Sequence, residues 1–137
     1  MKLLDANVFI YAVGRAHAYQ EPCLRLLSQV EENPGDYNVS VEVLQEILHV
    51  YWARRQLADG LRAFDSALKA FPEPFPVETQ DSTLARSLLQ RHPRLSPRDC
   101  IHAAVVLNHG LEAIISADRA FDEISEIKRL DPLELYP

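Results

Sequence analysis

The sequence predicts an α/β protein, a three-layer α/β/α sandwich around a short and mainly parallel sheet. Short apolar segments typical of buried strands alternate along the chain with segments whose apolar residues recur at helical spacing. An acidic residue follows each of two of these strands within two residues, and open α/β sheets bind their ligands at the carboxyl ends of strands. At 137 residues, the chain fits a single domain over residues 1–137.

The first strand ends at an acidic residue. Leu3 and Leu4 read as the end of a short buried strand, and Asp5 stands where this strand gives way to a helix over residues 6–14. Asp is a good N-cap, because its side-chain oxygen accepts a hydrogen bond from a free backbone N–H group. From this stretch alone, a capping role for Asp5 is favoured over a functional one.

The remaining elements follow from helical periodicity and from turn and capping signals. In the first half we predict a helix over 20–32, a turn over 33–36, a strand over 37–39, a helix over 41–56 capped by Ser40, and a helix over 59–71. In the second half we predict an edge strand in "PEPFPVE", a helix over 81–91, a helix from Ser96-Pro97 to Gly110, a strand "AIIS", a short helix "ADRAFDEI" and a last strand "IKRL".

Composition limits the class of function. The net charge of −6 argues against a general nucleic-acid coat protein, although a nuclease whose acidic site binds metal remains compatible. Eleven of the fourteen basic residues are arginine, which suits bidentate phosphate contacts. No apolar run approaches the ~18–20 residues of a membrane span, and no secretion signal is present, so we expect a cytoplasmic protein without membrane contact. Cys23 and Cys100 have no metal-ligand spacing and are expected to be buried thiols.

Four acidic residues are candidates for a shared site. Asp5 and Asp118 follow strands, and Ser116 stands two residues before Asp118, where its hydroxyl could orient that carboxylate. Glu46 lies at the margin of the apolar face of its helix. Asp99 aligns with a buried stripe, although Ser96 and Asp99 also match a capping box.

These carboxylates would repel one another unless cations are bound. Parallel strands collect their ends on one edge of the sheet, so the four groups can converge there. Carboxylate oxygens suit Mg²⁺ or Mn²⁺, and one or two such ions can activate water and stabilise the leaving oxygen of a phosphodiester. Asp122 is close enough in sequence to be a spare ligand.

Four segments, "LLDANVFIY", "SVEVLQE", "SPRDCIHAA" and "IISADRAF", resemble the motifs of the PIN domain family, in the branch of VapC-type toxins. The resemblance covers nearly the whole chain in order and spacing. It implies a metal-dependent endoribonuclease in which Asp5, Glu46, Asp99 and Asp118 are catalytic metal ligands. It also implies supporting roles for Asn7 and Ser116, a cognate antitoxin that occludes the site, and a homodimer. On this basis Asp5 is interpreted as a metal ligand that also caps its helix.

Three alternatives remain. "LLDANVF" and "SADRAFD" are similar to segments of haloacid-dehalogenase-type phosphatases, but Asn7 stands where their general acid/base would be. Glu46-x-x-His49 and Asp99-x-x-His102 have the spacing of helical di-metal carboxylate proteins, although the strand signals and prolines oppose a helical bundle. We otherwise expect His49 to be solvated and His102 to lie at the site's edge or in the core. The third alternative is a PIN-like module that binds RNA or protein without cutting.

Two further surfaces are expected. An acidic cleft alone would repel RNA, so arginines should flank it; the candidates are Arg15, Arg54, Arg55, Arg94, Arg98 and Arg119. The apolar segment "AFPEPFPVE" and the pair Tyr51-Trp52 are expected to be incompletely buried in a lone chain, which predicts a groove for an apolar antitoxin segment.

Overall fold

The computed structural model describes residues 1–137. Four parallel strands form one sheet in the order β2-β1-β3-β4. The strands are β1 (Lys2–Leu4), β2 (Tyr37–Asn38), β3 (Ala113–Ile115) and β4 (Arg129–Leu130). The predicted short parallel sheet is therefore confirmed, including its last strand.

Seven α-helices and two 3-10 helices surround the sheet. The α-helices are α1 (Ala6–Val13), α2 (Gln20–Glu32), α3 (Val41–Ala53), α4 (Leu57–Ala70), α5 (Thr79–Arg91), α6 (Pro97–Asn108) and α7 (Pro132–Leu135). The 3-10 helices cover Pro34–Asp36 and Arg119–Glu123.

Helices cover both faces of the sheet, as the prediction of three layers requires. Because side chains alternate along a strand, neighbouring residues of β1 and β3 enter different cores. Leu4 and Ile115 pack with residues of α1, α2, α3 and α4. Leu3 and Ile114 pack with residues of α6 and with Phe121 on the other side. Helix α5 adds an outer cluster against α6.

The end of α3 and the starts of α4 and α5 differ from the prediction by two residues or more. The predicted helix over 41–56 ends at Ala53, because Arg55 adopts a left-handed backbone conformation with φ 58° and the chain turns into α4 at Leu57. Helix α5 starts earlier than predicted, at Thr79. Glu78 and Asp81 form a reciprocal capping box there, with each side chain accepting from the other residue's backbone N–H.

Three short segments also differ. The edge strand expected in "PEPFPVE" is reduced to one bridge, in which Phe75 donates its N–H to the Val39 carbonyl (2.9 Å) and accepts from Val41 N–H (2.9 Å). The prolines on either side of Phe75 lack the N–H that would extend the ladder. The helix expected in "ADRAFDEI" is the 3-10 helix Arg119–Glu123. Helix α7, which Asp131 caps, was not predicted.

The strand order places the site. The chain leaves β1 in the middle of the sheet, with β2 on one side and β3 on the other. Such a reversal of strand order opens a crevice at the carboxyl ends of the two strands. Asp5 follows β1 there, and Ser116 follows β3.

None of the helices combines the length and the apolar character that crossing a membrane requires. Both cysteines are buried and free, as expected.

Candidate active site

Asp5 is held rigidly at the end of β1. It is only 5% exposed, and its Oδ1 accepts a hydrogen bond from Ala6 N–H (2.8 Å), so the carboxylate caps α1 as predicted. Its Oδ2 accepts from the Ser116 hydroxyl (2.6 Å) and from Asn7 Nδ2 (3.1 Å). Burial, the largest effect, raises the pKa of Asp5 to about 6 despite the nearby His102, and the negative charge of Glu46 adds to the rise.

Ser116 connects the ends of β1 and β3. Its hydroxyl donates to Asp5 and accepts from Asn7 Nδ2 (3.0 Å) and from the backbone N–H of Asp118 (2.9 Å). The sequence suggested that this hydroxyl orients the Asp118 carboxylate; the structure instead directs it to Asp5. Asn7 also accepts from Ala117 N–H (3.4 Å), so both predicted supporting residues belong to one network around Asp5.

Glu46 and His102 reach the same point from two helices. His102 Nε2 lies 3.8 Å from Asp5 Oδ1 and 3.6 Å from Glu46 Oε2. Burial alone would raise the pKa of Glu46, but the interaction with His102 and the positive charges of His102 and Arg98 lower it. Burial opposes a charge on His102, yet the interactions with Glu46 and Asp5 give it a raised pKa. The three groups therefore compensate one another's charge.

Asp99 and Asp118, the other two predicted acids, lie outside the group formed by the ligand atoms of Asp5, Glu46 and His102. Asp99 is half-buried in the first turn of α6, where its backbone N–H donates to Ser96 Oγ (3.1 Å). Burial, and then the negative charge of Asp118, raise the pKa of Asp99. Asp118 is exposed, and its Oδ1 accepts from Ala120 N–H (2.9 Å), which caps the 3-10 helix. Asp99 also senses the charges of His102 and Glu46, so it shares their electrostatic environment.

Asp122, the spare candidate, is engaged elsewhere. Arg129 donates to both of its carboxylate oxygens, from Nε at 2.9 Å and from Nη2 at 3.1 Å, and this pairing lowers the pKa of Asp122. The same arginine donates from Nη1 to the Ser116 carbonyl (3.0 Å) and to Asp131 Oδ2 (3.1 Å). Arg129 thus braces the end of β3 that carries Ser116. Sequence reasoning missed it, although an arginine within the predicted last strand "IKRL" was a signal.

The six candidate arginines fall into two groups. Arg98 lies within the acidic edge, with Nη1 3.7 Å from Glu46 Oε1 and Nε 3.2 Å from Glu42 Oε1. Arg119 follows Asp118 and is exposed, and Arg94 is exposed before α6. The others lie away from the acids, since Arg15 and Arg54 line a separate cleft and Arg55 follows α3; these three are exposed.

The donor set fits a divalent cation. Ligand atoms of Asp5, Glu46 and His102 all lie within 4.8 Å of one another, and the negative charges of Glu46 and Asp118 both act on Asp99 nearby. Carboxylates crowded this way are stabilised by an ion with hard-ligand preference, such as Mg²⁺ or Mn²⁺. Both ring nitrogens of the fully buried His102 lack a hydrogen-bond partner.

A parallel sheet with acidic side chains where its strand order reverses defines a structural class of proteins. Comparison with known proteins identifies the family within that class. The chain belongs to the PIN domain family, whose model matches residues 2–127. Ribonuclease VapC13 of Mycobacterium tuberculosis is 37% identical over 130 residues, which cover 95% of this chain and 99% of VapC13. This membership, together with the observed sheet, excludes the helical di-metal bundle and the phosphatase alternatives.

Solved structures agree with this fold. The crystal structure of Mycobacterium tuberculosis VapC20, described as a sarcin-ricin loop cleaving toxin, matches with a TM-score of 0.76 at 18% identity, covering 90% of this chain and 94% of VapC20. VapBC2 from Rickettsia felis, crystallised with a DNA fragment from its promoter, matches with a TM-score of 0.74 at 14% identity, covering 95% and 97%. At these identities the structures support the fold alone.

Proposed function

We propose that this chain is a metal-dependent endoribonuclease that hydrolyses RNA phosphodiester bonds, and that it is the toxin of a VapBC-type toxin–antitoxin pair. The observation that carries the proposal is the meeting of Asp5, Glu46 and His102 at the switch point of the sheet. It occurs in a chain that is 37% identical to a VapC ribonuclease over almost its full length. We take residues 1–137 as one nuclease domain.

In this proposal Asp5, Glu46, Asp99 and Asp118 hold one or two Mg²⁺ or Mn²⁺ ions. Bound there, a divalent ion would supply an activated water and would stabilise charge on the leaving oxygen of the phosphodiester. Asp5 is suited to this role because Ser116, Asn7 and the α1 backbone fix its two oxygens. Groups held in this way need little reorganisation when a ligand binds.

Purified protein incubated with single-stranded and structured RNA should cut RNA when Mg²⁺ or Mn²⁺ is present and should stop cutting when EDTA removes the ion. Gel analysis of the products checks this. Internal cuts distinguish an endonuclease from an exonuclease. An aryl phosphate serves as the control substrate and should remain intact. RNA that is bound but never cut with either ion would contradict the proposal and favour the non-cutting module.

We further propose that Arg98 and Arg119 contact RNA phosphates, since Arg98 lies beside Glu46 and Arg119 directly follows Asp118 in sequence. Binding of RNA to the Asp99→Asn variant should weaken steeply with salt, because each phosphate contact releases counterions. Arg119→Gln should reduce the logarithmic salt slope by about 1. The matched control is Arg25→Gln, on α2, whose side chain pairs with Glu21 instead. Fluorescence anisotropy across a salt series measures both slopes, and salt-independent binding would contradict this assignment.

A second surface suits a protein partner. A cleft of about 1110 Å³ opens between α1, the α1–α2 loop, the end of α3 and α4, with Phe9, Tyr11 and Tyr51 among its lining. Of the segment "AFPEPFPVE", Ala70 lines this cleft, and the expected incomplete burial is confirmed except at Phe71, which is buried. We propose that an apolar segment of the cognate antitoxin lies in this cleft. The toxin and antitoxin should co-purify, and the antitoxin should protect the backbone amides of the cleft from hydrogen exchange.

We also propose a homodimer. At the junction of α3 and α4, Trp52 is 64% exposed, and Leu57 and Leu61 are exposed by 52% and 51%. Tyr51, in contrast, is buried, so only Trp52 of the predicted pair is open to solvent. Exposed apolar side chains at one junction are typical of an interaction surface. Light scattering at tens of micromolar protein reads the mass directly, and a strictly monomeric protein would contradict the dimer.

A further inference from the structure

His102 is the most unusual side chain near the site. It lies in the middle of α6 with no exposed surface, and neither ring nitrogen has a hydrogen-bond partner. Buried polar atoms are nearly always paired, because an unpaired one is destabilising. Ser116, which is buried next to Asp5, follows this rule, since its hydroxyl makes three hydrogen bonds. The unpaired imidazole nitrogens therefore indicate that His102 binds a ligand.

The surroundings of His102 indicate which ligand. Nε2 faces Asp5 Oδ1 and Glu46 Oε2 at 3.8 and 3.6 Å, which is too long for a good hydrogen bond. The ring also lies beside Phe121, with 6.3 Å between centroids. One nitrogen and two carboxylate oxygens within 4.8 Å of one another resemble the ligand sets of first-row transition metals more than the all-oxygen sets that Mg²⁺ prefers.

We propose that His102 Nε2 is a nitrogen ligand of the ion held by Asp5 and Glu46, and that it makes the site bind Mn²⁺ in preference to Mg²⁺. The inference rests on the cation site of the proposed function and is independent of RNA cleavage. Mn²⁺ stands lowest in the first-row order of affinity for nitrogen-containing sites, but it belongs to that series, whereas Mg²⁺ keeps its water or oxygen ligands. The sequence alone left His102 as a core or edge residue.

The first experiment needs no substitution. Mn²⁺ is added to the wild-type protein, and the electron spin echo envelope modulation is recorded with ordinary protein and with protein labelled with ¹⁵N-histidine. We expect a ¹⁴N coupling typical of imidazole, which changes to a ¹⁵N coupling on labelling. Mn²⁺ bound with no histidine nitrogen coupling would overturn the proposal and leave His102 as a charge partner of the two acids.

The second experiment compares variants. In His102→Gln an oxygen ligand replaces the nitrogen, so the ratio of Mn²⁺ to Mg²⁺ affinity should fall by about tenfold. The matched control is His49→Gln, because His49 is exposed on α3, next to Trp52. Calorimetric titration with each metal alone measures the ratios. An unchanged ratio in a folded His102→Gln protein would overturn the proposal.

The outcomes also separate this inference from the proposed function. Nitrogen-coupled Mn²⁺ in a protein that cuts no RNA would support the inference and contradict the nuclease. RNA cleavage by a protein whose Mn²⁺ lacks histidine coupling would do the reverse.

Discussion

Asp99→Asn is expected to reduce RNA cleavage by about 100-fold or more, while the metal-free protein melts at the same temperature as the wild type or higher. The amide cannot supply the charge of a carboxylate ligand, so cation binding should weaken. Removing that charge also relieves an unfavourable state, because burial and then the negative charge of Asp118 raise the pKa of Asp99 in the wild type. Cleavage gels and thermal melts of the two proteins measure both effects.

The structure makes this a sharp test of the capping alternative. The α6 cap is the hydrogen bond from Asp99 N–H to Ser96 Oγ, which the substitution leaves in place. Because Asp99 takes part in this cap through its backbone N–H, a residue with a capping role alone would tolerate Asn at this position. Mg²⁺ or Mn²⁺ should raise the melting temperature of the wild type by mass action, and less so that of the variant.

The matched control is Asp65→Asn, an acid-to-amide change at an exposed position of α4. It should leave cleavage and the effect of cations on melting unchanged. An Asp99→Asn protein that cuts RNA at the wild-type rate would refute the assignment of Asp99 to the metal site.

Ser116→Ala has the second largest expected effect, a loss of about 10–100-fold in cleavage or cation affinity. The hydroxyl holds Asp5 Oδ2 at 2.6 Å and also accepts from Asn7 and from Asp118 N–H. Without it, Asp5 loses its shortest hydrogen bond and the Asp118 loop loses its anchor on β3. Because Ser116 is fully buried, the unpaired groups should also lower the free energy of unfolding by about 1–3 kcal/mol.

Rescue separates the loss of the hydroxyl from general damage. Ser116→Thr keeps the hydroxyl, so it should retain most cleavage, whereas Ser116→Ala should not. Ser125→Ala removes an exposed hydroxyl nearby in sequence and should have no effect. Rates are compared well below the melting temperature of each variant, with cation affinity measured in parallel. A Ser116→Ala protein with wild-type rate and affinity would show that the network around Asp5 is dispensable.

The junctions that carry the acids could be predicted from the sequence because they are local. Leu3-Leu4 followed by Asp5 reads as a strand end and a helix cap within three residues, and the structure has both. Ser40 and Ser96 likewise cap α3 and α6 as predicted. Helical periodicity placed Glu46 and Asp99 at the margins of apolar faces, since the positions of side chains around a helix depend only on its 100° repeat.

Tertiary structure decided which side chains from other parts of the sequence contact the residues at those junctions. The Ser116 hydroxyl bonds Asp5, 111 residues away, and not its sequence neighbour Asp118, because β1 and β3 pair in parallel and bring their ends together. His102 comes to lie between Asp5 and Glu46 only when α6 and α3 pack near the same strand end. Arg129 reaches Ser116 because β4 pairs with β3. Such contacts depend on which strands pair and in what order, and short strands of similar apolar residues do not encode that choice locally. The sequence therefore determined the chemical groups and their local elements, and the packing of distant elements determined which groups share a site.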